Sequence, residues 1–178
     1  MLDPAASPFL FDTSAESWLS RADGRFRDWF RSYLSHSLPN VSAATVVERV
    51  RGYALLWRKA APGRRALVET RRVEYLDAPR RVWPIDTGVA VLAGEIMALL
   101  RNPPTEPRRS HLMVESRQER LVRWRFDILI ASTALVGRMP LIHNNPADFE
   151  AIRTAIELSP GRFPGLGPLA LVRCQALV

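Results

Sequence analysis

The sequence predicts an α/β/α sandwich built on a central, mostly parallel five-stranded sheet. Short apolar stretches that stop at polar residues alternate with longer stretches whose apolar residues recur at helical spacing. Strands that are separated by helices pair in parallel and carry helices on both faces of the sheet. The 178 residues are enough for one domain with a full hydrophobic core, so we expect a single domain over residues 1–178.

The elements follow in order along the chain. Strands are predicted at residues 9–12, 38–42, 81–85, 141–143 and 169–173. Helices are predicted from residue 13, near 23–35, at 45–60, 64–76 and 89–100, around Asp127, and at 147–158. Asp86 and Thr87 resemble a helix cap. Residues 101–125 are rich in Pro and Arg and are predicted to be an insertion, with a loop at 102–111. This insertion either contacts a ligand or is simply solvated.

Charge and composition narrow the class of partner. The net charge is +7, and because Lys59 is the only lysine among 25 basic residues, 24 of them are arginine. A GC-rich genome accounts for the ratio of arginine to lysine, but the positive net charge still favours an anionic partner. No apolar run is long enough to span a membrane, and the N-terminus lacks a basic signal-peptide start. The single cysteine, Cys174, cannot form an internal disulfide, which fits a reducing cytoplasm.

Acidic and amide side chains follow three of the predicted strands. Asp12 ends the first strand, Glu48 follows the second, and Asn145 and Asp148 follow the fourth. The carboxyl ends of parallel strands meet at one edge of a sheet, where sites in such folds lie. Asp127 stands in an apolar helical run, and a buried carboxylate needs a partner. Oxygen ligands gathered in this way suit Mg²⁺ or Mn²⁺.

Each of these residues also has a simpler interpretation. Glu48 follows Thr45 at capping-box spacing, and Asp148 follows Asn145 and a proline at a predicted helix start. Asp12 has the position of an ordinary turn residue. Considered together, the acids favour a metal site.

Four segments, in order, carry a family resemblance. They are Phe-Leu-Phe-Asp-Thr-Ser at residues 9–14, the stretch 41–48 that ends in Glu48, Asp-Ile-Leu-Ile-Ala-Ser-Thr-Ala at 127–134, and 141–149 with its Asn-Asn and Asp-Phe pairs. Together they resemble PIN-domain ribonucleases, and among these the VapC toxins of type II toxin–antitoxin pairs. The resemblance covers most of the chain.

The resemblance implies a fold, an activity and partners. It implies a metal-dependent endoribonuclease that uses Mg²⁺ or Mn²⁺, cuts RNA of the tRNA or rRNA class, forms homodimers and is neutralised by a cognate VapB-like antitoxin. The implied catalytic and metal-binding residues are Asp12, Glu48, Asp127 and Asp148, supported by Thr13, Ser14 and Asn145. Two positions depart from the family: His143 stands where many relatives have Thr or Ser, and Asn145 where a number have Asp. The fourth ligand is therefore open between Asn145 and Asp148, while His143 is expected to be a strand-end residue and not a base.

Arginines that precede the Asp127 helix are the predicted contacts to the RNA backbone. They are Arg120, Arg123 and Arg125, with Arg108, Arg109 and Arg117 nearby. A solvated helix face is the ordinary alternative for such residues.

Other function classes fit less well. A phospho-receiver domain needs a lysine after a late strand, and Lys59 lies elsewhere. A phosphatase of this fold needs a second Asp where Ser14 stands, and no glycine-rich loop follows the first strand for a dinucleotide. A catalytically inactive PIN-like module that binds RNA or protein remains an alternative.

Overall fold

The structure, a computed structural model, describes residues 2–5, 8–107 and 114–177. Over these residues the chain forms five β-strands and seven α-helices. The strands are β1 (Leu10–Phe11), β2 (Asn40–Ser42), β3 (Arg81–Trp83), β4 (Leu141–His143) and β5 (Leu171–Arg173). The helices are α1 (Thr13–Leu19), α2 (Gly24–His36), α3 (Ala43–Lys59), α4 (Pro62–Asp77), α5 (Thr87–Leu99), α6 (Arg117–Val136) and α7 (Pro146–Glu157). A 3₁₀ turn, Cys174–Ala176, follows β5.

The five strands form one sheet in the order β3-β2-β1-β4-β5, and every pairing is parallel. The central strand is β1, where Leu10 lies opposite Asn40 of β2 and Leu141 of β4. The predicted α/β/α sandwich is confirmed, and the sheet is wholly parallel. All five carboxyl ends therefore share one edge.

Two apolar cores cover the two faces of the sheet, because successive side chains of a strand point to opposite faces. Leu10 and Leu141 contribute to one core, with buried residues of α5, α6 and α7. Phe11 and Ile142 contribute to the other, with α1, α2 and the C-terminal residues. The inner strands β1, β2 and β4 are buried on both faces, as expected for a parallel sheet between helical layers, whereas the edge strands β3 and β5 are partly exposed.

Cys174 belongs to the second core and is fully buried. Burial raises the pKa of its thiol to about 12, so the thiol stays protonated at neutral pH. Within the described residues, no helix combines the length and apolarity that crossing a membrane requires.

The third strand is shorter than the predicted 81–85. It ends at Trp83, before Pro84, which has no N–H to donate to a sheet ladder. The predicted cap at Asp86 is confirmed, because its carboxylate accepts a hydrogen bond from the N–H of Val89 (2.9 Å) at the start of α5.

The Arg-rich stretch before Asp127 is part of the same helix as Asp127. α6 begins at a capping box in which the Ser116 hydroxyl accepts from the N–H of Glu119 and the Glu119 carboxylate accepts from the N–H of Ser116. The last residues of the predicted insertion, 117–125, therefore lie in α6. The described remainder of the connection, 101–107 and 114–116, has no helix. The predictions for Arg108, Arg109 and the end of the loop at residue 111 lie outside the described residues.

Candidate active site

A polar cavity of about 210 Å³ opens at the carboxyl edge of the sheet, where β1, β2 and β4 end. Its lining combines side chains from α1, α3, α6 and the start of α7. The lining residues are Asp12, Thr13, Ser14, Ser17, Glu48, Arg123, Asp127 and Asn145. Three of the four predicted acids and all three predicted supporting residues thus line one cavity, whereas Asp148 lies behind its wall.

Asp12 directly follows β1 and is the N-cap of α1. Its Oδ1 accepts from the N–H of Ala15 (2.5 Å), and the Ser14 hydroxyl contacts both carboxylate oxygens (2.8 and 3.0 Å). The side chain is buried, and this burial raises the pKa of Asp12 to about 7 against the lowering effect of these hydrogen bonds. The structure therefore gives Asp12 both the capping role and a place in the cavity.

Glu48 lies in the second turn of α3, half-buried, and its Oε2 accepts from the Thr13 hydroxyl (2.5 Å). α3 begins before Thr45, at Ser42, whose hydroxyl accepts from the N–H of Ala44 (3.2 Å). A capping box between Thr45 and Glu48 is therefore not what starts this helix. The carboxylate of Glu48 is instead held toward Asp12 by the residue that follows Asp12.

Asp127 enters the cavity from the middle of α6, among Ile128, Ile130 and other core residues of that helix. Only 7% of the residue is exposed. Burial raises the pKa of Asp127 well above its usual value, and the charges of Asp148, Glu48 and Asp12 raise it further. The neighbouring guanidinium of Arg123 opposes these effects.

Asp148 is completely buried and both of its oxygens have partners within the protein. Oδ1 accepts from the hydroxyl of Thr105 (2.9 Å). Oδ2 accepts from Nδ2 of Asn145 (2.6 Å) and from Nη1 of Arg123 (3.0 Å). The same Asn145 amide is 3.3 Å from Oδ2 of Asp127, so Asn145 stands between the two acids and faces the cavity.

Arg123 is the site residue whose place the sequence did not indicate. It precedes Asp127 by one helical turn, a spacing that puts both on one face of α6 and was the available signal. Its guanidinium binds both oxygens of Glu115 (3.1 and 3.0 Å) as well as Asp148. Of the other two predicted RNA contacts, Arg120 donates to the carbonyl of Thr105 (3.1 Å) and Arg125 is exposed.

His143, at the end of β4, is fully buried and packs edge-on against the ring of Phe149, with 5.1 Å between centroids. Burial lowers its pKa to about 4, so the imidazole is neutral at physiological pH. It is absent from the residues that line the cavity.

The donor set of the cavity suits a hard divalent cation. Three carboxylates and an amide supply oxygen ligands, and burial raises the pKa of both Asp12 and Asp127. Within the described ranges, however, no three acidic, histidine or cysteine side chains stand close enough to hold one ion as they are. A bound ion would therefore draw the carboxylates together from the cavity wall.

The fold and the cavity define an α/β/α protein with an acid-lined site at the carboxyl edge of a parallel sheet. The PIN domain family model matches residues 9–154, most of the chain and every residue that lines the cavity. The chain belongs to the PIN domain family.

Solved structures with the same fold include chains from assemblies named VapBC and FitAcB. VapBC2 from Rickettsia felis, bound to a promoter DNA fragment, matches at 12% identity and a TM-score of 0.55, over 93% of this chain and 97% of that chain. DNA-bound VapBC from Salmonella typhimurium matches at 22% identity and a TM-score of 0.55, over 94% of this chain and 98% of that chain. FitAcB from Neisseria gonorrhoeae matches at 22% identity and a TM-score of 0.53, over 81% of this chain and 92% of that chain. At these identities the similarity establishes the shared fold. A comparison with curated proteins finds no match.

Proposed function

We propose that this PIN-domain protein is a divalent-metal-dependent endoribonuclease, the toxin of a VapBC-like toxin–antitoxin pair. The observation that carries the proposal is the convergence of Asp12, Glu48 and Asp127, from three separate elements, on one buried cavity. Burying like charges together is costly unless they serve a cation or a reaction.

In this proposal Asp12, Glu48 and Asp127 hold the cation, Mg²⁺ or Mn²⁺, and Asn145 completes the cavity. When bound, such an ion supplies positive charge to the reacting phosphate and lowers the pKa of a water. The chain's own contribution is orientation: Ser14 holds Asp12, Thr13 holds Glu48, and Asn145 holds Asp127. Asp148 acts behind these residues by fixing the amide of Asn145.

RNA is the substrate that the charge of the molecule favours. A protein with a net charge of +7 attracts a polyanion to its surface, while a cation in the acid-lined cavity would accept the phosphate. The tRNA or rRNA class is proposed from the family resemblance alone.

A VapB-like antitoxin is the protein partner that we propose. Exposed apolar side chains concentrate on α3 and α4, including Leu56 (57% exposed), Trp57 (42%) and Leu67 (53%). Apolar surface of this kind marks sites of protein association. The solved VapBC and FitAcB assemblies support an antitoxin as the partner.

We propose in addition that the isolated chain forms a homodimer, which light scattering of the purified protein tests.

Cleavage of bulk tRNA, with Mg²⁺ or Mn²⁺ added after EDTA treatment, tests the proposed activity. We expect the wild type to cut RNA only with the ion present, and Asp12→Asn and Asp127→Asn to lose at least about 100-fold in rate, because each removes a charged ligand. Glu95→Gln is the matched control, since this acid lies on α5 in an exposed ion pair with Arg162.

Two results would contradict the nuclease. Cleavage that survives unchanged in both Asn variants would place the reaction elsewhere. The absence of both cleavage and Mn²⁺ binding, with normal circular dichroism, would favour the inactive PIN-like module.

A further inference from the structure

The connection between α5 and α6 is joined to the acidic site through one arginine. Arg123 binds both oxygens of Glu115, which lies in this connection, through Nε and Nη2, and it binds Asp148 on α7 through Nη1. The side chain of Arg123 is 10% exposed, and those of Glu115 and Asp148 are 12% and 0% exposed. A guanidinium so enclosed by two carboxylates has few donors left for a phosphate.

Thr105 joins the other half of the same connection to the same acid. Its hydroxyl donates to Asp148, and its carbonyl accepts from Arg120, which lies one turn before Arg123 on α6. Thr105, which precedes segment 108–113, therefore binds Asp148 directly, and Glu115, which follows that segment, is joined to Asp148 through Arg123. Among the described residues, the hydrogen-bond partners of Asp148 are Thr105, Arg123 and Asn145.

Arg123 also lines the cavity, beside Asp12, Glu48 and Asp127. Its charge lowers the pKa of Asp127, against the burial and the neighbouring acids that raise it. A divalent ion in the cavity would meet this fixed positive charge, because Arg stays protonated at all physiological pH.

We propose that Arg123 is a positioning residue that acts as a resident cation of the site. It neutralises Asp148 and thereby keeps this fourth acid out of the metal-ligand set, it competes electrostatically with the divalent ion, and it ties the α5–α6 connection to the site. The first two roles rest on the proposed function, whereas the third does not.

Calorimetric titration with Mn²⁺ tests the electrostatic roles. In Arg123→Gln, the loss of the fixed charge and the release of Asp148 raise Mn²⁺ affinity about tenfold or more. Arg123→Lys keeps the charge and binds Mn²⁺ within about threefold of the wild type. A purely structural role would instead weaken binding in both variants alike.

A double variant guards against misfolding, because Arg123→Gln leaves Asp148 buried without its cation. In Arg123→Gln/Asp148→Asn both charges of the pair are removed and two amides replace them. We expect its Mn²⁺ affinity to return to within about threefold of the wild type. Weaker binding by Arg123→Gln, or equal gains in the single and double variants, would overturn the electrostatic roles.

Hydrogen exchange of the metal-free protein tests the third role without any ion. Peptides covering residues 101–107 and 114–116 should exchange at least about tenfold faster in Arg123→Gln than in the wild type. Arg125→Gln is the matched control, because Arg125 lies on the same helix but is exposed. Unchanged exchange in Arg123→Gln would overturn this role. A wild type that binds no Mn²⁺ refutes the proposed function and the two electrostatic roles, and the exchange result then decides the third role alone.

Discussion

Asp12 combines two demands on one carboxylate, because it caps α1 and faces the acidic cavity. Its pKa is about 7 in the folded chain and 3.8 for the free side chain. Between these values the folded state binds more protons than the unfolded state, so this group makes stability fall as pH rises. Above pH 7 the ionisation of Asp12 lowers the free energy of unfolding by its full amount.

The pH dependence of unfolding in EDTA measures this cost. Asp12→Asn keeps an oxygen that can cap α1 but removes the charge. The variant should therefore gain stability over the wild type as pH rises from 4 to 7, by up to about 4 kcal/mol, and the gain should level off above pH 7. Denaturant unfolding of both proteins at each pH checks the prediction, with Asp86→Asn, the same change at an exposed cap, as the control. A difference independent of pH would show that folding leaves the pKa of Asp12 unchanged.

Residues whose place depends on local pattern could be predicted, and residues whose place depends on distant partners could not. Asp12 directly follows β1 and Asn145 lies two residues after β4, and parallel pairing alone takes both to the same edge. Arg123 was expected to contact RNA because it belongs to an Arg-rich stretch. Its partners Glu115 and Asp148 lie 8 and 25 residues away, and no periodicity connects them.

Helix α6 links the connection that precedes it to the site, because Arg123 binds Glu115 of the connection and Asp127 on the same helix lines the cavity. It begins at Ser116, which a capping box of Ser followed three residues later by Glu marks in the sequence. The interpretation of residues 101–125 as one insertion overlooked this motif. The proline-rich part, 102–107, does lack helix as predicted, because proline cannot continue a helical ladder.

Removing the cap tests how much the start of α6 contributes to stability. Ser116→Ala deletes the hydroxyl that accepts from the N–H of Glu119, and this change should cost about 1 kcal/mol in the free energy of unfolding. Ser35→Ala is the matched control, since Ser35 is exposed within α2 and its hydroxyl bonds only to Ser32 and His36 nearby. Equal losses in the two variants would mean that the Ser116 cap stabilises the protein no more than an exposed serine inside a helix does.

At the scale of the whole molecule, the order of strands and helices was predictable because each strand is a short apolar run between helical patterns. The lengths of the strands were less predictable. The segments 9–12 and 81–85 shorten to two and three residues in the structure, since a polar cap or a proline ends each ladder early. Several apolar side chains of α3 and α4 are exposed, and a single chain does not reveal which partner covers them.

The basic surface should determine how RNA binding depends on salt. Arg117 and Arg125 are exposed on α6, and if both contact phosphate, Arg117→Gln/Arg125→Gln should reduce the slope of log K against log salt by about 2. Arg27→Gln/Arg31→Gln removes the same charge from exposed positions of α2 and should leave the slope nearly unchanged. Fluorescence titration of catalytically blocked Asp127→Asn with tRNA at several salt concentrations measures this. Equal slopes in the two double variants would indicate that total charge matters and not position.

The central place of β1 has a consequence for synthesis of the chain. Asp12 leaves the ribosome early, but the neighbour of β1 on one side is β4, and the wall that Asn145 completes is translated more than a hundred residues later. A nascent or prematurely terminated polypeptide therefore holds only fragments of the proposed catalytic centre. On the proposed function, the activity of this protein can appear only after Asn145 has been translated, which leaves time for a neutralising protein to be ready.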